Sequence, residues 1–118
     1  KIKILDPWMR PNAESMASAL YFVVENKGEI ADTLYKVESD LALRVEIHET
    51  YSYGDVMGMR EVEMIVVEAA SSFELKPGAH HIMLMKLKQD IKNGDVGEFT
   101  LYFKNAGEIK ITATAQSK

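Results

Sequence analysis

The sequence predicts an all-β fold, with two packed sheets forming a sandwich. Short runs in which apolar and polar side chains alternate every second residue recur along the 118 residues, and Gly, Pro, Asn and Asp punctuate them. No stretch sustains the 3.6-residue apolar period of a long helix. The clearest alternation is C-terminal, where Phe99, Leu101 and Phe103 alternate with Thr100, Tyr102 and Lys104, and Ile109, Ile111 and Ala113 with Lys110, Thr112 and Thr114.

In chain order the candidate strands are Lys1 to Leu5, Ala19 to Glu25, Thr33 to Glu38, Arg44 to Glu49, Met59 to Val67, His81 to Leu87, Glu98 to Lys104 and Ile109 to Ala115. The stretch from Asn12 to Ala19 offers Asn12 as a helix cap, but its apolar pattern is weak and it is read as a loop. Turns are expected at Asn26-Lys27-Gly28, Lys76-Pro77-Gly78 and Asn93-Gly94-Asp95. Asn105-Ala106-Gly107, with a glycine free to take positive φ, should close an antiparallel hairpin between the last two strands. The length suits one domain covering residues 1–118.

Composition excludes several functions. Fourteen Lys and Arg against eighteen Asp and Glu give a net charge of −4 without a basic cluster, so nucleic acid is not an expected partner. The longest apolar runs, such as Ala19 to Val24, are too short for a transmembrane helix. The chain begins at Lys1 without a leader, which fits a processed secreted protein or a trimmed chain equally well. The absence of cysteine removes disulfides, thiolate metal sites and cysteine nucleophiles. No phosphate-binding glycine loop, nucleophile elbow or Ser-His-Asp set is present, and an enzyme is not expected.

The chemistry concentrates between His48 and Met85, which enclose all three histidines and most of the methionines. In Arg44-Val45-Glu46-Ile47-His48-Glu49, alternation puts Val45 and Ile47 on one face and Glu46 and His48 on the other, so His48 should point away from the core. In His81-Ile82-Met83-Leu84-Met85, His81, Met83 and Met85 share a face, and His80 should point the opposite way. Imidazole and thioether donors together suit copper(I) better than magnesium, calcium or manganese.

Methionine also fills core gaps, and Met16 and Met64 are expected to pack. Met57-Gly58-Met59 leaves the choice open. The two sulfurs would share a face of an extended strand, and a bend at Gly58 could bring either to one ion. Trp8, Tyr51 and Tyr53 could shield an exposed site, although a lone Trp in a small sandwich belongs more often to the core.

His48, ten residues, Met59, twenty-one residues, His81, one residue, Met83 resembles the motif of the PCu(A)C-type periplasmic copper chaperones. Asp6-Pro7-Trp8-Met9-Arg10, Val45-Glu46-Ile47-His48-Glu49, Met57-Gly58-Met59-Arg60 and Pro77 to Met85 resemble the same family, so the likeness covers nearly the whole chain. It implies a cupredoxin-like or immunoglobulin-like Greek-key sandwich and a solvent-near copper(I) site at His48, Met59, His81 and Met83. It also implies export to the periplasm or another extracytoplasmic compartment, and delivery of copper to the CuA-bearing subunit of cytochrome c oxidase; the chain itself is expected to be a monomer. Copper storage or resistance with the same site, and a sandwich interaction module without metal, are the competing expectations.

Overall fold

The computed structural model describes residues 1–118, which form ten strands and no helix. In chain order they are β1 (Ile2–Met9), β2 (Ser18–Asn26), β3 (Asp32–Glu38), β4 (Ala42–Tyr53), β5 (Val56–Glu61), β6 (Ile65–Val67), β7 (Ser71–Glu74), β8 (His80–Leu87), β9 (Val96–Phe103) and β10 (Gly107–Ala115). Hydrogen bonds link them in the order β5-β4-β8-β2-β1-β10-β9-β3-β6, with β7 added to β2. Every pairing is antiparallel except β1 with β10.

This path folds over on itself, because β3 packs against β4 although the two lie far apart in hydrogen-bond order. One layer is β5-β4-β8-β2 and the facing layer is β10-β9-β3-β6. Between them lies the core, in which Leu20, Phe22 and Val24 of β2, Ile47 of β4 and Ile82 and Leu84 of β8 meet Leu34, Phe99, Leu101 and Phe103. The alternation read from the sequence decides which side chains enter it, and each fully buried Leu, Ile or Phe contributes about 1.5–3 kcal/mol. The fold is the expected all-β sandwich of the cupredoxin and immunoglobulin type.

Two departures concern the middle of the chain. The expected strand from Met59 to Val67 is two strands in different layers: β5 pairs with β4, and after Val62-Glu63-Met64 crosses over, β6 pairs with β3. A Val62 N–H to Ile47 carbonyl bond of 2.9 Å anchors the crossing. β7, which has no apolar alternation, was not expected; it pairs with the second half of β2 while β8 takes the first half.

The turns behave as their residues dictate. Gly107 takes a φ of 80° at the β9–β10 hairpin, and Gly54 takes 61° in the two-residue Gly54-Asp55 turn that joins β4 to β5. The Asn12 segment is a loop, its side chain accepting from the Ala13 N–H at 2.8 Å and donating to the Ala17 carbonyl at 2.7 Å.

In β1, the Asp6 backbone is left-handed at a φ of 52° beside Pro7, and the register with β2 slips between Leu5 and Trp8. The bulge leaves Trp8 opposite Tyr21. Trp8 is buried, as a core tryptophan would be, yet it belongs to a separate small cluster with Ala19 and Tyr21. β2 is thus covered on both sides near its start.

Candidate functional site

The face of β4 and β8 that turns away from the core carries the histidines. His48 and His81 are directly paired across the two strands, and their ring centroids lie 5.8 Å apart. Tyr21 stands next to His81 at 6.4 Å, and Trp8 stacks on Tyr21 at 4.7 Å. Along β8 the next outward residue is Met83, which pairs with Glu46 on one side and Ala19 on the other. Met59 of β5 pairs with Thr50, one two-residue step beyond the register of His48.

Met59, His81 and Met83 line a common cleft of 390 Å3 with Arg10 and Tyr21. His48 lies beside His81 rather than in the cleft wall. The imidazoles are buried, at 8% exposure for His48 and 4% for His81, whereas Met59 is 57% exposed. A larger depression of 610 Å3 lies elsewhere, lined by Glu38, Asp40, Glu98 and Lys110 among others, and holds no histidine or methionine.

Each buried imidazole satisfies one nitrogen and leaves the other without a partner. His48 Nε2 is 2.9 Å from Glu46 Oε1, and His48 Nδ1 has no partner. His81 Nδ1 is 3.3 Å from the Ala79 carbonyl, and His81 Nε2 has none. Burial pushes the His81 pKa below its ordinary value, with the neighbouring His48 and His80 acting in the same direction and the Ala79 carbonyl opposing them. Burial thus favours the neutral ring, which keeps one nitrogen lone pair.

No three His, Asp or Glu side chains converge in this chain as metal ligands, and the thioethers of Met59 and Met83 line the cleft beside His81.

The structure sorts the remaining sequence candidates. His80 lies on the other face, as alternation requires, 5.0 Å from the Phe73 ring and 3.4 Å from a Glu49 oxygen. Met85 shares the outer face of β8, but its sulfur accepts from Arg44 at 3.6 Å. Met16 and Met64 do not pack as expected. Both stand in solvent, at 53% and 40% exposure, because one sits in the loop before β2 and the other in the crossing between layers.

β5 keeps unbroken register through Gly58, so the bend that could have brought Met57 to the histidines is absent. A Cβ at Gly58 would instead lie 2.7 Å from the Tyr51 hydroxyl, and this close approach is what the glycine permits. Tyr51 and Tyr53 project from the opposite face of β4 to His48, and Tyr51 stacks under Arg60 at 4.8 Å. They do not shield the histidines.

Sequence reasoning missed Arg10 and Tyr21. The Arg10 guanidinium lies 5.4 Å from the Trp8 ring and 5.6 Å from the Tyr21 ring, at the cleft edge. The run Ala19 to Val24 gave no alternation, the mark of a strand covered on both faces, but nothing local said what covered the second one.

The chain is a β-sandwich that carries His48, His81, Met83 and Met59 on the outer face of three neighbouring strands. Residues 2–115 match the model of the LpqE-like family, described as "Putative lipoprotein LpqE-like", and the chain belongs to that family. Two solved structures share the fold and are PCuAC domains: the copper-bound domain from PmoF2, 28% identical with a TM-score of 0.82 over 100% of this chain and 94% of its own, and the apo domain from PmoF1, 25% identical with a TM-score of 0.85 over 100% and 95%. The resemblance to PCu(A)C proteins seen in the motif thus extends to the whole fold. The Rickettsia prowazekii protein named "Uncharacterized protein RP573" is 30% identical over 107 residues, 86% of this chain. The chain spans 59% and 63% of the length of the curated relatives it matches first.

Proposed function

We propose that residues 1–118 act as one monomeric domain that binds a single copper(I) ion through His48, Met59, His81 and Met83 and carries it outside the cytoplasm. The observation that carries this reading is the pair of adjacent buried imidazoles, each with a nitrogen lacking any partner. A buried, unsatisfied polar atom costs about 1–3 kcal/mol, so two side by side are retained for a use. A soft cation is that use, because the thioethers of Met59 and Met83 border the cleft that His81 lines. The copper-bound PCuAC relative and the lipoprotein-like family support the cargo and the compartment.

Two neutral imidazoles and two neutral thioethers hold copper(I) without the strong anionic sulfur that would make release slow. The buried imidazoles form the fixed base, while the exposed Met59 side can yield its place to an incoming ligand. A thiolate acceptor, as at a CuA centre, then displaces the thioethers one at a time, so the domain is a carrier and not an enzyme. The test is competition against a chromophoric copper(I) chelator, followed by mixing the loaded domain with an apo CuA-bearing fragment. One copper(I) per chain that passes to the fragment is expected. Retention of copper in its presence would favour storage, and tighter zinc than copper(I) binding would falsify the copper reading itself.

A further inference from the structure

We infer that Glu46 is a positioning residue that fixes which nitrogen His48 offers to the cargo, making Nδ1 of His48 and Nε2 of His81 the two donor atoms. The inference rests on the copper reading above for the identity of the cargo, and on hydrogen bonding alone for the donor atoms.

Glu46 and His48 stand two residues apart on the outer face of β4, and strand geometry brings Glu46 Oε1 to 2.9 Å from His48 Nε2. A carboxylate oxygen accepts from the ring N–H, so in the neutral form of the imidazole this contact puts the proton on Nε2 and the lone pair on Nδ1. Nδ1 is the atom the fold leaves buried and unpartnered. The same logic holds one strand away. The Ala79 carbonyl, 3.3 Å from His81 Nδ1, accepts only, which puts the proton on Nδ1 and the lone pair on the unpartnered Nε2. Thus two different acceptors, a side chain and a backbone carbonyl, select opposite tautomers on facing rings.

Glu46 is itself held. Its second oxygen is 3.2 Å from Arg44, whose same amine is 3.6 Å from the Met85 sulfur. Arg44 is 67% exposed, so that ion pair contributes little by itself; the carboxylate, only 19% exposed, carries the role. Glu46 also lies directly opposite Met83, so its orientation bears on two of the proposed ligands at once. Ligand-orienting partners of this kind affect metal affinity by about 10–100-fold.

The experiment uses the 118-residue chain, metal-free, with its imidazoles followed by long-range nitrogen–proton correlation, and copper(I) affinity measured separately by chelator competition. Wild type should show His48 protonated on Nε2 and His81 on Nδ1. Glu46→Leu, which removes the acceptor at similar volume, should give a mixed His48 tautomer, leave His81 unchanged and lower copper(I) affinity about 10-fold or more. Glu46→Gln keeps a carbonyl acceptor and should keep both the tautomer and the affinity to within about 3-fold. The inference is overturned if wild-type His48 is protonated on Nδ1, or if Glu46→Leu leaves the tautomer unmoved. It is equally overturned if Glu46→Gln loses as much affinity as Glu46→Leu, since charge rather than orientation would then be the cause. If Glu46→Leu does not fold, the wild-type spectrum and Glu46→Gln decide. A wild-type chain with the stated tautomers that takes up no copper(I) refutes the copper reading and leaves the tautomer assignment standing.

Discussion

Met59 and Met57 differ by one strand repeat, and their difference tests the site at its finest grain. Both sulfurs leave the same face of β5, about 7 Å apart along the strand, and the unbroken register through Gly58 gives no bend to merge them. Met59→Leu should therefore lower copper(I) affinity about 10-fold or more, Met57→Leu should leave it within about 2-fold, and the double variant should match Met59→Leu alone; Leu preserves the apolar volume, so chelator competition reads the sulfur. A double variant much weaker than Met59→Leu would mean that Met57 substitutes for the lost ligand. His81 gives a second test. Its folded pKa is depressed by burial, so below about 6.5 the unfolded chain takes up a proton that the folded chain refuses. The sign follows: this stability is present above the unfolded value and is lost as pH falls from there toward the folded one. The Tm of the metal-free chain should drop between pH 7.5 and 5, and His81→Gln should flatten that slope; an equal slope in the variant would assign it to other groups.

Among the elements, the β4–β5 hairpin matters most for the site, because it alone brings Met59 to the histidines. Its Gly54-Asp55 turn puts Gly54 at a φ of 61°, where a side chain costs about 1 kcal/mol or more. Gly54→Ala should lower the Tm by several degrees, raise hydrogen exchange along β5 and weaken copper(I) binding. Gly58→Ala should do much less, since its Cβ meets only the outer end of a Tyr51 ring that can swing into solvent. If Gly54→Ala left β5 exchange unchanged, the turn would not be what sets the register. This hairpin also marks where sequence reading reached its limit. Two-residue alternation correctly placed His48, His81, Met83 and His80 on their faces, because a strand's side-chain period is fixed by its backbone. It also ran Met59 to Val67 together as one strand, since a local pattern carries no sign that Val62-Glu63-Met64 crosses between layers. The Gly-Asp pair at 54–55 was the available signal for the turn. The cover supplied by Tyr21, Trp8 and Arg10 had no local signal, because it comes from strands far away in sequence.

At the level of the molecule, all four proposed ligands belong to one layer: His48 on β4, Met59 on β5, His81 and Met83 on β8. An ion bound there ties three neighbouring strands together and adds nothing to the facing layer of β10, β9, β3 and β6. A ligand that binds only the folded state adds RT ln(1 + [L]/Kd), about 2.7 kcal/mol at a free concentration 100-fold above Kd. For a chain of this size that corresponds to a rise in Tm of roughly 10 °C. The far layer supplies the control. A Cβ at Gly97 of β9 would collide with Leu41 and lie 3.1 Å from the Met9 methyl, inside the packed core. Gly97→Ala should thus cost about 1–3 kcal/mol through overpacking. Neither Leu41 nor Met9 is a proposed ligand, so the penalty and the copper gain should add. Gly97→Ala should lower the Tm of the metal-free and copper-loaded chains by the same amount and leave copper(I) affinity unchanged. A loaded variant that lost more than the metal-free one would show that the ligand layer depends on the packing of the layer beneath it, and the site could no longer be treated as built on one sheet alone.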